Sequence, residues 1–228
     1  MKLTESQIQE LYTFTRQHFV EHYDLQTELV DHLANDIEQQ WQQQPKLSFE
    51  DAKNKAFKKF GIFGFMDAIE QKGKAMGKKY TRYLWNELKK WFELPQLLTT
   101  IALFLMFYLA FSSVYAAVFA VSFYVIIAIW TIYKSFQLKK QFKRRQDISN
   151  KKWLLEELIF KQAGGTSLLF LSQFYNLHLL DNYITNIYLI IGVSLIFTIL
   201  VLFNYISFKI IPNKAEKLLN ETYPEFSL

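Results

Sequence analysis

The sequence has no cysteine, which excludes disulfides, thiolate metal sites and a thiol nucleophile together. It also lacks the short motifs that carry common chemistries. No glycine-rich phosphate loop, His-Glu-x-x-His or Gly-x-Ser-x-Gly occurs, and isolated serines and histidines do not make a triad. Neither an enzyme nor a bound cofactor is expected. Residues 1–10 are polar and lack the apolar core of a secretory signal, so residues 1–93 are expected to stay on the cytosolic side.

The most informative absence is charge. Residues 94–133 contain no Asp, Glu, Lys, Arg or His. As one helix this run would extend about 60 Å, twice the roughly 30 Å of a bilayer's hydrocarbon core, so it reads as two spans broken at Ser112 and Ser113. The expected spans are residues 96–112 and 114–133. Two further apolar stretches, 163–180 and 184–208, make four, with an outer turn at Asp181, Asn182 and Tyr183. The loop 134–161 holds nine Lys/Arg against three acids, and the tail 209–228 has Lys209, Lys214 and Lys217, so both are placed in the cytosol with both termini. The expected location is the cell's inner (cytoplasmic) membrane, crossed several times.

What is present divides the chain. Residues 1–93 carry 14 Lys/Arg and 14 Asp/Glu, whereas residues 94–228 carry 12 and 7, confined to loops and tail. The net charge of +5 gathers beside the apolar spans, where topology explains it without nucleic acid, which is not an expected partner. The fold class expected is all-α: a small cytosolic helical bundle (1–63), a basic amphipathic connecting helix (64–93) and a four-helix transmembrane domain (94–208).

In the bundle, Thr4 to Gln7 matches a capping box that opens a helix over residues 5–20. Asp24 is the expected N-cap of a second helix, residues 25–43, in which Leu25, Leu29, Leu33, Ile37 and Trp41 form an i, i+4 stripe with Val30 beside it. Ser48 caps a third helix, Ala52, Ala56, Phe57 and Phe60 form its buried side, and Gly61 stops it. Opposite the stripe, Asp24, Glu28, Asp31 and His32 make an acidic face expected to bind a protein partner or to receive the basic helix. With His18 and His22 nearby a carboxylate–imidazole site is geometrically allowed, but no established metal motif occurs, and no metal is expected.

The run from Asp24 to Leu33, with Ile37 and Glu38, Ser48 to Ala52, and Phe60-Gly61, resembles the prefix domain of bacterial HTH-associated alpha-helical signalling and permease-prefix proteins. It is also similar to uncharacterised bacterial four-span membrane proteins that carry such a prefix. The resemblance covers residues 5–65 and implies a cytosolic protein partner, a transcriptional regulator of the PadR type, rather than a catalytic site.

Residues 1–51 carry 3 basic and 10 acidic side chains, and residues 52–93 carry 11 and 4. The basic set is expected either to lie against the acidic face or to meet anionic headgroups. Lys78, Lys79, Arg82, Trp85, Lys89 and Lys90, and Lys143, Arg144 and Arg145 of the loop, are the expected lipid-headgroup residues. Ser112, Ala116 and Ala120 permit close helix packing within the chain or between copies in a homo-oligomer. Ser172, Gln173, Asn176, Asn186, Ser194, Thr198 and Asn204 are expected to hydrogen-bond across helices, and His178 lies near an outer end. These residues also carry the alternative reading, a small transporter or an accessory subunit of a permease.

Overall fold

The computed structural model describes residues 2–149, 151–162 and 186–223, and every regular element among them is helical. The chain forms two compact units. The first joins Met1–Lys78 to Ile148–Leu155, and the second joins Lys79–Asp147 to Glu156–Leu228.

The first unit begins with α1 (Glu5–Gln17), α2 (Tyr23–Gln43) and α3 (Phe49–Lys58) and takes in the first half of α4 (Met66–Lys90). α1 starts where its capping box directs. Gln7 N donates to Thr4 Oγ1 at 3.4 Å, and Thr4 N donates to Gln7 Oε1 at 2.9 Å. It ends at Gln17 rather than at Val20, because Phe19 takes φ +63°, a left-handed conformation that no L-residue helix continues through. Ser48 Oγ accepts Asp51 N at 3.1 Å and starts α3 as its sequence requires.

All six stripe residues of α2 are buried, together with Leu11, Val20, Ala52, Ala56 and Phe65. Each large aliphatic side chain so buried contributes about 1.5–3 kcal/mol, which makes α2 the centre of the bundle. Phe57 and Phe60 are only half-buried at its edge. Lys53 was not expected inside: it is 7% exposed, donates to Glu10 at 2.6 Å and Glu50 at 2.8 Å, and lies over the rings of Phe14 and Phe49. Burial alone would depress its ammonium, but the hydrogen bonds to Glu10 and Glu50 outweigh that and hold it above its ordinary value.

Asp24 is not the N-cap of α2. The helix begins two residues earlier, at Tyr23 with His22 at the cap, and no side chain closes it. The Tyr23 N–H is satisfied instead by the Lys152 carbonyl at 2.7 Å, so the carboxylate is released for another partner.

The second unit contains the end of α4, then α5 (Gln96–Phe111), α6 (Ala116–Ser149) as far as Asp147, the last two residues of α7 (Leu154–Glu157) with a π-helical turn at Leu158–Gln162, α8 (Ile187–Tyr205) with a second π turn at Ile206–Ile210, and α9 (Ala215–Thr222). α5 packs along α8, and Phe107, Phe111, Phe119, Phe123 and Phe197 interlock around Ala116 and Ala120. The turn between α5 and α6 falls at Ser112 and Ser113, whose hydroxyls donate to Tyr108 O and Ala110 O. Tyr80 of α4 is 2% exposed, and burial pushes its hydroxyl well above the usual value. The Ser207 hydroxyl opposes that shift without a well-formed hydrogen bond.

α6 departs from expectation at its far end. Residues 134–149, read as the start of a basic loop, continue the helix without interruption. The run contains no Gly or Pro to stop it, and Lys, Arg and Gln are good helix formers, so the onset of charge does not end the helix. α6 and the helical stretch Ile187–Asn213 are each long and apolar enough to cross a membrane, whereas α5 is apolar but has 16 residues. Only 17% and 33% of their most apolar windows are buried, unlike the core helix of a globular domain. The expected third span, with Ser172, Gln173, Asn176 and His178, and the turn at Asp181 to Tyr183 lie outside the described residues.

The polar groups of α8 divide. Thr131 Oγ1 donates to Asn204 Oδ1 at 3.2 Å across the α6–α8 contact. Ser194 and Thr198 were expected to do likewise, but their hydroxyls donate to Ile190 O and Ser194 O on their own helix, both at 2.7 Å. Asn186 is an N-cap, its Oδ1 accepting Tyr188 N at 3.0 Å.

Candidate functional site

The candidate surface is carried by α2. Because its stripe faces the core, the 3.6-residue period sends Glu28, Asp31 and His32 outward, and all three are exposed. Beside them a groove of about 440 Å³ runs between α2 and the start of α4. Its floor is apolar, with Leu25, Leu29, Phe60, Ala68 and Ala75, and its rim is polar, with Glu28, His32, Gln71 and Lys72. Glu28 and Lys72 form an ion pair across the two helices. The groove therefore has the make-up of a site for an apolar side chain with a polar flank. Asp31 is not among its lining residues.

Asp24 is committed elsewhere. Its Oδ1 accepts Leu154 N at 3.2 Å, Lys152 pairs with Glu21, and Trp153 packs edge-on against Tyr23 at 5.2 Å between ring centroids. The Lys151 ammonium sits 4.3 Å from the centre of the Tyr23 ring. Residues 151–155 thus dock on the N-terminal turn of α2 as a strap, with Trp153 and Leu155 buried. The acidic patch expected from sequence is two places: an occupied one at Asp24 and an open one at Glu28, Asp31 and His32.

The histidines are dispersed. The His18 ring lies against Phe14, Phe57 and Phe65, and its Nδ1 donates to Phe14 O at 2.8 Å. His22 stands before α2 and His32 on the groove rim. Among the described residues, no group of three His, Asp or Glu side chains converges as a metal site would require.

Of the expected headgroup residues, Lys78, Arg82, Trp85, Lys89, Lys90, Lys143 and Arg144 are exposed and Lys79 is half-buried. Lys89 lies over the Trp85 ring at 5.9 Å. Two of the set are engaged within the second unit. Arg145 donates to the buried Glu156 at 2.6 Å, and Lys90 shares Glu87 with Lys214 at 2.8 and 2.7 Å. Burial would raise the Glu87 carboxyl, but the hydrogen bonds from Lys214 and Lys90 overcome this and hold it below the usual carboxylate range.

Gln71 of the groove and the whole strap were missed from sequence, whereas Lys72 belongs to the basic set of residues 52–93 expected to lie against the acidic face or to meet headgroups, and it pairs with Glu28 of that face. Trp153, the one tryptophan in the basic stretch 134–161, was the available signal for the strap. Comparison of the chain with protein-family models, curated proteins and solved structures finds no match.

Proposed function

We propose that the chain is a non-enzymatic membrane regulatory or adaptor protein whose helical bundle, on the cytosolic side, binds a protein partner through the exposed Glu28, Asp31 and His32 side of α2. One observation carries this reading: an apolar groove with an acidic and imidazole rim stands open on the unit built from α1, α2, α3 and the first half of α4. A transcriptional regulator of the PadR type is the partner implied by the prefix-domain resemblance, and a basic helix with an apolar anchor fits the groove's chemistry.

The membrane part of the proposal is a four-span domain in the inner membrane with both termini inside. The apolar, outward-facing surfaces of α5, α6 and α8 support it, with Leu98, Leu109, Val118, Ile126, Ile129 and Ile196 among the exposed side chains. At about 1.5 Å per residue the 34 residues of α6 reach about 51 Å, well beyond a roughly 30 Å hydrocarbon core, so its basic end projects into the aqueous phase.

Pull-down of the full chain from detergent extracts tests the partner surface. Glu28→Lys with Asp31→Lys is expected to lose a regulator that the unmodified chain recovers. Adding Lys72→Glu restores the intramolecular pair without restoring the acidic face, so binding should stay lost while the bundle stays folded. Unchanged recovery with the double variant would count against this surface.

A further inference from the structure

The turn between α3 and α4 holds large apolar side chains in solvent. Ile62 is 99% exposed and Phe63 71%, and Met66 at the start of α4 is 59% exposed. Two glycines with positive φ frame the pair: Gly61 at +80° and Gly64 at +56°. A Cβ on Gly64 would lie 2.9 Å from Phe57 Cζ, so that backbone is pressed onto the bundle, with Phe65 buried after it, while Ile62 and Phe63 before it point away. His18 packs on Phe57 and Phe65, which puts the next residue, Phe19, 84% exposed, at the same end of the bundle. The result is a fixed apolar finger.

We propose that this finger, Ile62 and Phe63 with Phe19 and Met66 beside it, inserts into the interfacial layer of an anionic bilayer. Three observations select lipid over protein as the occupant. The protrusion is small, whereas a stable protein interface needs about 800 Å² from each partner. Lys55, Lys58 and Lys59 precede it at helical spacing, and between residues 57 and 68 the only carboxylate is Asp67. Lys59 is engaged with Asp36, leaving Lys55 and Lys58 to meet headgroups. Finally, the same chain carries helices long and apolar enough to cross a membrane, so a bilayer is held at high effective concentration. The inference goes beyond partner binding but rests on the membrane reading above.

The absence of cysteine makes the test direct, since any introduced thiol is unique. Full-length chain carrying Ile62→Cys or Phe63→Cys is labelled with an environment-sensitive fluorophore and reconstituted into vesicles of phosphatidylcholine with phosphatidylglycerol. Parallel samples carry the label through Asn54→Cys on the exposed side of α3 or Ile126→Cys on α6. Labels at 62 and 63 are expected to shift to the blue, to brighten severalfold and to be quenched by nitroxide lipids, less so without phosphatidylglycerol, while the label at 54 stays aqueous. A label at 63 that stays aqueous while the one at 126 is quenched overturns the finger and leaves the membrane reading standing. A blue shift at 63 without lipid quenching assigns the finger to a protein surface and also overturns it. If the label at 126 is unquenched as well, the membrane reading itself fails.

Discussion

Single residues set the ends and corners of the bundle. Gly64 combines φ +56° with contact to Phe57, so Gly64→Ala meets both a backbone penalty of about 1–2 kcal/mol and a steric one. Gly61→Ala meets open space and only the backbone penalty. Chemical unfolding of the purified chain should show the larger loss for Gly64→Ala, and equal losses would mean that the Phe57 contact carries no weight. Gly73 and Gly77 are of another kind, since both sit within a continuous α4 with nothing near a Cβ. Lys53 illustrates what periodicity conceals. Its position on α3 is ordinary, but Glu10 and Phe14 arrive from α1 and create an enclosed cationic site that no local pattern encodes.

At the scale of elements, local chemistry was legible and long-range chemistry was not. The capping box at Thr4 and Gln7, the Ser48 cap and the α2 stripe could be read directly, because each depends on residues within a turn or two. Asp24 could not, because the group it serves, Leu154 N, lies 130 residues away in sequence. The far end of α6 was missed for a different reason: loss of apolarity marks where a helix leaves an apolar medium, whereas ending it takes a cap or a breaker. The strap can be tested as an element. Trp153→Ala removes a buried aromatic side chain, a loss of about 3 kcal/mol, so local opening should rise roughly a hundredfold. Faster trypsin cleavage after Lys151 and Lys152, with faster amide exchange at Tyr23 and Leu154, would report it. Asp24→Asn keeps an acceptor and should do much less than Asp24→Ala. Equal protection in all three variants would remove the strap as a structural element.

For the whole molecule, the proposed arrangement makes one prediction that charge placement dictates. A reporter fused after Ser113 should read as external, because the α5–α6 turn lies between an uncharged helix and the uncharged half of α6, with the basic residues at their other ends. Alkaline phosphatase activity at this site with a dark fluorescent-protein fusion is the expected pair of results, and the reverse pair would invert the topology. What could be read in the sequence is a contrast between a charge-balanced first part and an apolar second part; the division of the two units within α4, after Lys78, was not legible there. The return of residues 148–155 to the first unit was not, because the segment's composition is that of any basic connector.

That return has a consequence in time. During synthesis at about 5–20 residues per second, residue 155 follows residue 78 by roughly 4–15 s. Over that interval α1 to α3 are complete but the first turn of α2 lacks its Lys152 carbonyl and its Trp153 cover. The newborn bundle therefore waits with Tyr23 and Asp24 uncovered until α5 and α6 have been made, and a protein that meets the nascent chain encounters a different α2 from the one the finished molecule presents.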